Sequence, residues 1–181
     1  AITLVNLGRV YTRQEKYVEA ESSLKKALDL FRSLQIRVYE AATLNNLAAL
    51  YMREGKLRES EGVLHQALEI SQDEGSISIE AEVLYDLGIV HIMRSKFMEA
   101  KASFEKALDI FRKIGAQGLE ASAVRCLSLI EELSGNLEEA IKLSQQAVAV
   151  LEKIEDSLSL SSERKRLEEL KNRDINHGNE L

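Results

Sequence analysis

Proline and tryptophan are missing from the 181 residues, and cysteine occurs once. Average usage would give on the order of nine prolines in such a length, and proline interrupts helices, so its absence leaves room for regular, continuous helix. A lone thiol, Cys126, excludes an internal disulfide. No Cys/His cluster has the spacing of a zinc site, so neither a metal nor any other cofactor is expected. No run approaches the roughly 18 uninterrupted apolar residues that cross a bilayer, which removes the membrane as an expected partner. The sequence opens without Met and without the regions of a signal peptide, and reads as an excised piece of an intracellular, cytoplasmic protein. Thirty acidic side chains against 24 basic ones give a net charge of −6, which speaks against a nucleic-acid partner. With 45% hydrophobic and 30% charged residues, the chain has the composition of a packed fold.

What the sequence does contain is a repeat. Sliding it against itself gives one dominant offset of about 40 residues, and four copies fit: 1–40, 41–80, 81–120 and 121–160. The fourth position holds Leu4, Leu44, Leu84 and Val124; the seventh Leu7, Leu47, Leu87 and Leu127; the eighth the small residues Gly8, Ala48, Gly88 and Ser128; the eleventh Tyr11, Tyr51, His91 and Glu131. Spacings of three, one and three describe one face of a helix, helix A. A second stripe follows as Tyr17, Leu57, Phe97 and Leu137, then Ala20, Ser60, Ala100 and Ala140, then Leu24, Leu64, Phe104 and Ser144, then Ala27, Ala67, Ala107 and Ala147. This is one face of helix B. Gly55 and Gly135 suit the left-handed end of a helix, Asn136 has the chemistry of an N-cap, and Glu15 and Ser95 depart from the glycine pattern. A long coiled coil is excluded, because small residues recur every 40 positions rather than leucines every seven. After Leu160 comes a capping helix, 161–173, whose Leu160, Leu167 and Leu170 face inward while Glu163, Arg164, Lys165, Arg166, Glu168 and Glu169 lie elsewhere. A tail without apolar period, 174–181, is expected to be mobile.

At these residues the sequence resembles the tetratricopeptide repeat family, whose pattern runs Leu-Gly, Tyr, Ala, Phe, Ala at set spacings. Leu7, Gly8, Tyr11, Ala20, Leu24 and Ala27 follow that order, as do Gly88, Ala100, Phe104 and Ala107. The Trp and the closing Pro of the family are missing, and the period exceeds the usual 34 residues, so helix B and the loop after it are expected to be longer, as in 30–39 and 110–119. The longer form is similar to the repeats of kinesin light chains, Pins/LGN scaffolds and bacterial regulators. The resemblance implies an all-α, right-handed superhelical solenoid of four helix-turn-helix repeats plus a cap.

Residues able to carry chemistry are few. Cys126 has no histidine near it in the repeat register, and Arg125 points about 100° away around a helix, so Cys126 reads as a quiet thiol. His65, His91 and His177 fall in three contexts, and His91 takes the tyrosine place of its repeat, a packing role. Glu131–Glu132 and Glu138–Glu139 read as solvated surface, as do Lys25–Lys26, Lys165–Arg166 and Glu168–Glu169. No glycine run has phosphate-loop spacing. The chain reads as a non-enzyme.

The resemblance also implies that helix-A positions two, five, six, nine, twelve and thirteen line a concave groove. In copy one these are Ile2, Val5, Asn6, Arg9, Thr12 and Arg13, and in copy two Ala42, Asn45, Asn46, Ala49, Met52 and Arg53. Copy three offers Glu82, Tyr85, Asp86, Ile89, Ile92 and Met93, and copy four Ser122, Arg125, Cys126, Leu129, Glu132 and Leu133. An Asn amide both donates and accepts, so Asn6, Asn45 and Asn46 suit the backbone of an extended peptide, as asparagines do in the kinesin light chain and Pins/LGN groups. Arg9, Arg13 and Arg53 make one half of the groove basic. Glu82, Asp86 and Glu132, against Arg125 alone, make the other half acidic. The expected function is a binding scaffold for a protein or peptide segment with acidic residues facing copies one and two, while Tyr85, Ile89 and Met93 take an apolar side chain. The alternative is the sensing domain of a larger regulator. Ile2 and Val5 leave apolar surface at the first repeat, so further repeats or a partner are expected before Ala1, with weak self-association through that end.

Overall fold

The computed structural model describes the backbone of residues 1–178 and the side chains of residues 1–175; the side chain of His177 and the end of the expected tail, 179–181, lie outside them. Every element among the described residues is helical: α1 (Ile2–Arg13), α2 (Tyr17–Ser33), α3 (Arg37–Arg53), α4 (Leu57–Asp73), α5 (Ile77–Met93), α6 (Phe97–Lys113), α7 (Gln117–Leu133), α8 (Leu137–Lys153) and α9 (Ser157–Gly178). No helix among them is long and apolar enough to cross a membrane.

From α2 to α8 each helix has 17 residues and each connection three. The residues beyond the usual repeat length therefore extend both helices alike. Helix B is lengthened as expected, but so is helix A, and the loop after helix B is not, since the connection at 34–36 is as short as the one at 14–16. Helix A starts at Arg37, Ile77 and Gln117, so α3, α5 and α7 run through the boundaries drawn at 40/41, 80/81 and 120/121. Residues 174–178 continue α9 instead of leaving it.

All eight connections are the same turn. A left-handed residue stands at Glu15, Gln35, Gly55, Gly75, Ser95, Gly115, Gly135 and Glu155, with φ between 54° and 81°. In the turn at Gly55, Lys56 N–H donates to the Tyr51 carbonyl at 2.9 Å and Gly55 N–H to Met52 at 3.1 Å, and the equivalent pair recurs in the other seven. These two bonds satisfy carbonyls that the helix end leaves open. They hold Glu15 and Ser95 in the conformation of Gly55 and Gly135 although a Cβ costs about 1–2 kcal/mol there.

Helix starts are handled differently. No side chain caps α2, α3, α4, α5, α7 or α8, and each carries a carboxylate in its first turn against the helix dipole. Asn136 in particular does not cap α8 with its side chain, which donates instead to Glu131 Oε2 at 3.0 Å. α9 is capped, by Asp156 Oδ1 accepting from Ser159 N–H at 3.1 Å.

Packing follows from small residues placed seven apart along each helix from α2 to α8: Ala20 and Ala27, Ala41 and Ala48, Ser60 and Ala67, Ala81 and Gly88, Ala100 and Ala107, Ala121 and Ser128, Ala140 and Ala147, all buried. A Cβ on Gly8 would lie 2.6 Å from Leu24 Cγ, so α1 and α2 approach as closely as glycine allows. Where serine replaces alanine its hydroxyl is bound, Ser60 Oγ to the Ala48 carbonyl at 3.0 Å and Ser128 Oγ to that of Ala140 at 2.7 Å.

The described residues form two compact units, one ending at Lys96 and one beginning at Phe97. In the first, Leu28, Leu44, Leu64, Ile70, Val83, Leu87 and Val90 build the core between α2, α3, α4 and α5. In the second, Phe104, Phe111, Val124 and Ile130 are buried, and Leu170 of α9 closes on Leu137 and Ala140 of α8. Consecutive pairs are also stitched by polar links at fixed register. Arg32 meets Glu40 at 2.9 Å, Gln72 meets Glu80 at 2.9 Å, and Arg112 meets Glu120 at 3.0 Å, each across a three-residue turn.

Candidate functional site

In the first unit α1 lies against α3 and α3 against α5, so the helix-A side chains of three repeats share one surface. Arg9, Thr12 and Arg13 of α1 and Asn46, Ala49 and Arg53 of α3 line a cavity of about 170 Å³. A second depression, of about 250 Å³, runs along α1 beside Asn6, Arg9, Val10 and Arg13. Thr12 is buried and its hydroxyl donates to the Gly8 carbonyl at 2.9 Å.

The cavity is lined by three arginines that form no ion pair with a carboxylate among the described residues. Of the chain's twelve arginines, Arg32, Arg37, Arg94, Arg112, Arg125, Arg164, Arg166 and Arg173 form ion pairs among the described residues. Arg9, Arg13, Arg53 and Arg58 have no carboxylate at ion-pair distance among those residues, and the first three face this cavity. Helix α1 contains no carboxylate at all, and Arg9 and Arg13 stand four apart on it, where like charges repel.

Next to this basic patch the same unit carries carboxylates. Burial holds the Glu82 carboxyl above its ordinary range, and the charge of Arg9 opposes that rise. Burial pushes the Asp86 carboxyl up to about 6 against a side-chain hydrogen bond from Asn45, and the charge of Glu82 adds to the rise. Arg9 and Glu82 therefore sense each other across the groove side, and the basic and acidic halves meet inside one unit. The asparagines are partly committed. Asn46 Nδ2 donates to its own helix at Ala42 at 2.7 Å, while Asn45 Oδ1 is buried without a donor among the described residues. Tyr85 and Ile89 are half-buried on α5, and Met93 is exposed.

The second unit treats its groove positions otherwise. Arg125 Nε donates to Glu163 Oε2 at 2.8 Å, so this arginine is held by α9 and does not stand open. Glu163 is fully buried and not on an outer polar face; Ser144 Oγ donates to it at 2.6 Å and Arg166 at 3.2 Å. Arg166 bridges onward to Glu132 at 3.0 Å and to Ser128 Oγ at 3.2 Å, and Arg173 also binds Glu132. Arg166 is thus half-buried instead of solvated. Glu131, expected on solvated surface, is buried and accepts from Lys101 at 2.6 Å, which holds its carboxyl below the usual range. Cys126 is half-buried.

Sequence reasoning missed these links, although a register signal was available. α9 begins 40 residues after α7, so it is a fifth helix A, and Glu163 falls where Thr43, Val83 and Ala123 are buried. The eleventh position likewise meets the helix B before it: Tyr51 donates to Glu21 at 2.8 Å, and His91 contacts Glu61 at 3.2 Å, with Arg94 and Lys96 on the same carboxylate. No group of side chains among the described residues has the arrangement of a metal site.

The chain's fold is shared by many solved structures. Aspartyl phosphate phosphatase F from Bacillus subtilis superposes with a TM-score of 0.84 at 14% identity over 89% of this chain, which spans 42% of that protein's length. A putative kinesin light chain with TPR-like repeats from Podospora anserina gives 0.70 at 18% identity, covering 98% of this chain and 95% of that one. A signal transduction ATPase with a tetratricopeptide repeat sensor from Pyrococcus horikoshii gives 0.77 at 19% identity over 88% of this chain and 25% of that one. At such identities the likeness shows the fold alone. No curated protein is similar enough in sequence to count as a relative. Sequence patterns of the tetratricopeptide repeat match residues 3–38 and 39–113, one running on from the other. Together with the helix pairs, their uniform turns and their small-residue seams, this match shows that the chain belongs to the tetratricopeptide repeat family, a protein-interaction fold.

Proposed function

We propose that the chain is a non-catalytic interaction scaffold whose first unit clamps an acidic segment of a partner protein along α1, α3 and α5. The observation that carries this reading is the group of Arg9, Arg13 and Arg53 around one cavity, each without a carboxylate at ion-pair distance among the described residues, in a chain that pairs most of its arginines. Carboxylates of the partner pair with these arginines. Asn6, Asn46 through its remaining N–H and Oδ1, and Asn45 hold its backbone. Tyr85, Ile89 and Met93 receive an apolar side chain, and Glu82 and Asp86 set the direction by repelling the acidic end. An Arg–carboxylate pair that is partly desolvated contributes about 1–3 kcal/mol.

A second reading, the sensing part of a larger regulator, draws on the likeness to a tetratricopeptide repeat sensor within a longer signalling ATPase. It uses the same groove and differs in what the groove is attached to.

The test is fluorescence anisotropy with nine-residue peptide pools in which two positions are fixed as Asp or Glu. Arg53→Glu is expected to weaken the acidic pool by about tenfold or more and Asn46→Ala by a few fold, with unchanged helical circular dichroism. Arg58→Glu, at the unpaired arginine away from the cavity, leaves binding as it was. Full affinity in both groove variants removes the groove from the reading.

A further inference from the structure

We infer that the cavity between α1 and α3 takes the phosphoryl group of a phosphorylated serine or threonine in the partner segment. This rests on the acidic-segment reading above and narrows it to one chemistry.

Charge and geometry carry the inference. Three guanidinium groups, Arg9, Arg13 and Arg53, share one cavity whose lining holds no carboxylate. A single side-chain carboxylate brings one negative charge and two oxygens, enough to engage one guanidinium in a two-pronged contact. A phosphoryl group brings a charge of about −1.5 to −2 and three terminal oxygens, which three planar forks can share. The like-charged pair at Arg9 and Arg13 weighs on an α1 that has no carboxylate to relieve it, and a dianion between them relieves it. A phosphoryl group, one phosphorus with three terminal oxygens, is small enough for a depression of about 170 Å³. Asn46 beside the arginines keeps an N–H after its bond to Ala42. A long polyanion fits poorly, because Glu82 and Asp86 stand on the same surface and Glu82 is near enough to act on Arg9.

The experiment uses the 181-residue chain with labelled nine-residue peptide pools of degenerate flanks, centred on phosphoserine, serine, glutamate, an Asp–Asp pair or lysine, and read by anisotropy. The phosphoserine pool is expected to bind about tenfold more tightly than the serine pool and several fold more tightly than either acidic pool. Arg13→Gln and Arg53→Gln abolish that advantage; Arg53→Lys keeps the charge, loses the fork and gives an intermediate loss. Tyrosine-monitored unfolding verifies that each variant is folded. Acidic pools that match the phosphoserine pool overturn the phosphoryl assignment and leave the acidic-segment reading standing. Pools that all bind no better than the lysine pool overturn both. Inorganic phosphate that competes with the phosphoserine pool supports the assignment. Tighter binding to phosphoinositide vesicles or to a 20-nucleotide single strand than to the phosphoserine pool overturns it.

Discussion

The two units carry the same repeat and dispose of its charged groove positions in opposite ways. In the first, Arg9, Arg13 and Arg53 surround a cavity unpaired; in the second, Arg125 and Glu132 are bound to Glu163, Arg166 and Arg173 of α9. Turn geometry does not make the difference, since the turns are uniform and α3 and α7, which carry groove positions in the two units, have the same length. The neighbour does. Where the next helix A brings opposite charges within reach, groove charges are consumed in holding it, and where it brings Asn46, Ala49 and a further arginine, Arg53, they remain available.

The largest effect expected from breaking this contrast is at Glu163. Removing one partner of a buried ionic cluster costs about 3 kcal/mol or more, because Arg125, Arg166 and Ser144 lose their acceptor. Glu163→Ala should therefore melt α9 and loosen α8 while the first unit stays folded. The chain supplies the means to see this: all five tyrosines, Tyr11, Tyr17, Tyr39, Tyr51 and Tyr85, lie in the first unit. Helical signal should fall at lower urea than tyrosine fluorescence, and coincident transitions would show that the cluster contributes little of its own.

Acidity should separate the units in a second way, by on the order of 1–2 kcal/mol. Asp86 rises in the folded state from its ordinary 3.8 to about 6, so the folded protein binds that proton more tightly and the first unit gains stability as pH falls from 7 towards 4. Glu131 moves the other way. Its carboxyl is held low, chiefly by the hydrogen bond from Lys101, so its contribution is complete above about 4.5 and is lost as pH falls further. For Glu132 burial pulls upward, but the hydrogen bonds from Arg166 and Arg173 outweigh it and the net direction is down. Tyrosine-monitored urea midpoints should rise between pH 7 and pH 5 and lose that rise in Asp86→Asn.

How much of this was legible beforehand depends on whether a residue's role lies in its own helix or in the next. The two apolar faces and the small positions were readable because each is a spacing within one helix, the period because it is a bare recurrence along the chain, and Gly55 and Gly135 advertised their turns by residue type. Glu15, Gln35, Ser95 and Glu155 did not, since it is the pair of backbone bonds closing the turn that places them. Arg9, Arg13, Asn46 and Arg53 do come together, because groove positions repeat with the period. Arg125 was misjudged because its fate is decided 38 residues later by Glu163, which looks in isolation like one more charge in a solvated run.

The smallest effect tests the turns, which the units have in common. Replacing a strained left-handed residue by glycine relieves about 1–2 kcal/mol and gives part back through the freer unfolded chain. Glu15→Gly and Glu155→Gly should each stabilise by about 0.5 kcal/mol, the first seen in the tyrosine transition and the second in the helical signal. A gain in one unit alone would mean that the turns are not equivalent.

The uniform turn has a mechanical consequence. Left-handed residues recur every 20 positions, so pulling on the two ends of the chain peels off segments of equal length whether a helix A or a helix B comes free. At a reach of about 3.3–3.6 Å per residue, each 20-residue segment releases about 70 Å of slack. Force–extension traces should therefore show one step size along a staircase, and the heights of its risers would rank the seams from the weakest to the one locked by Glu163.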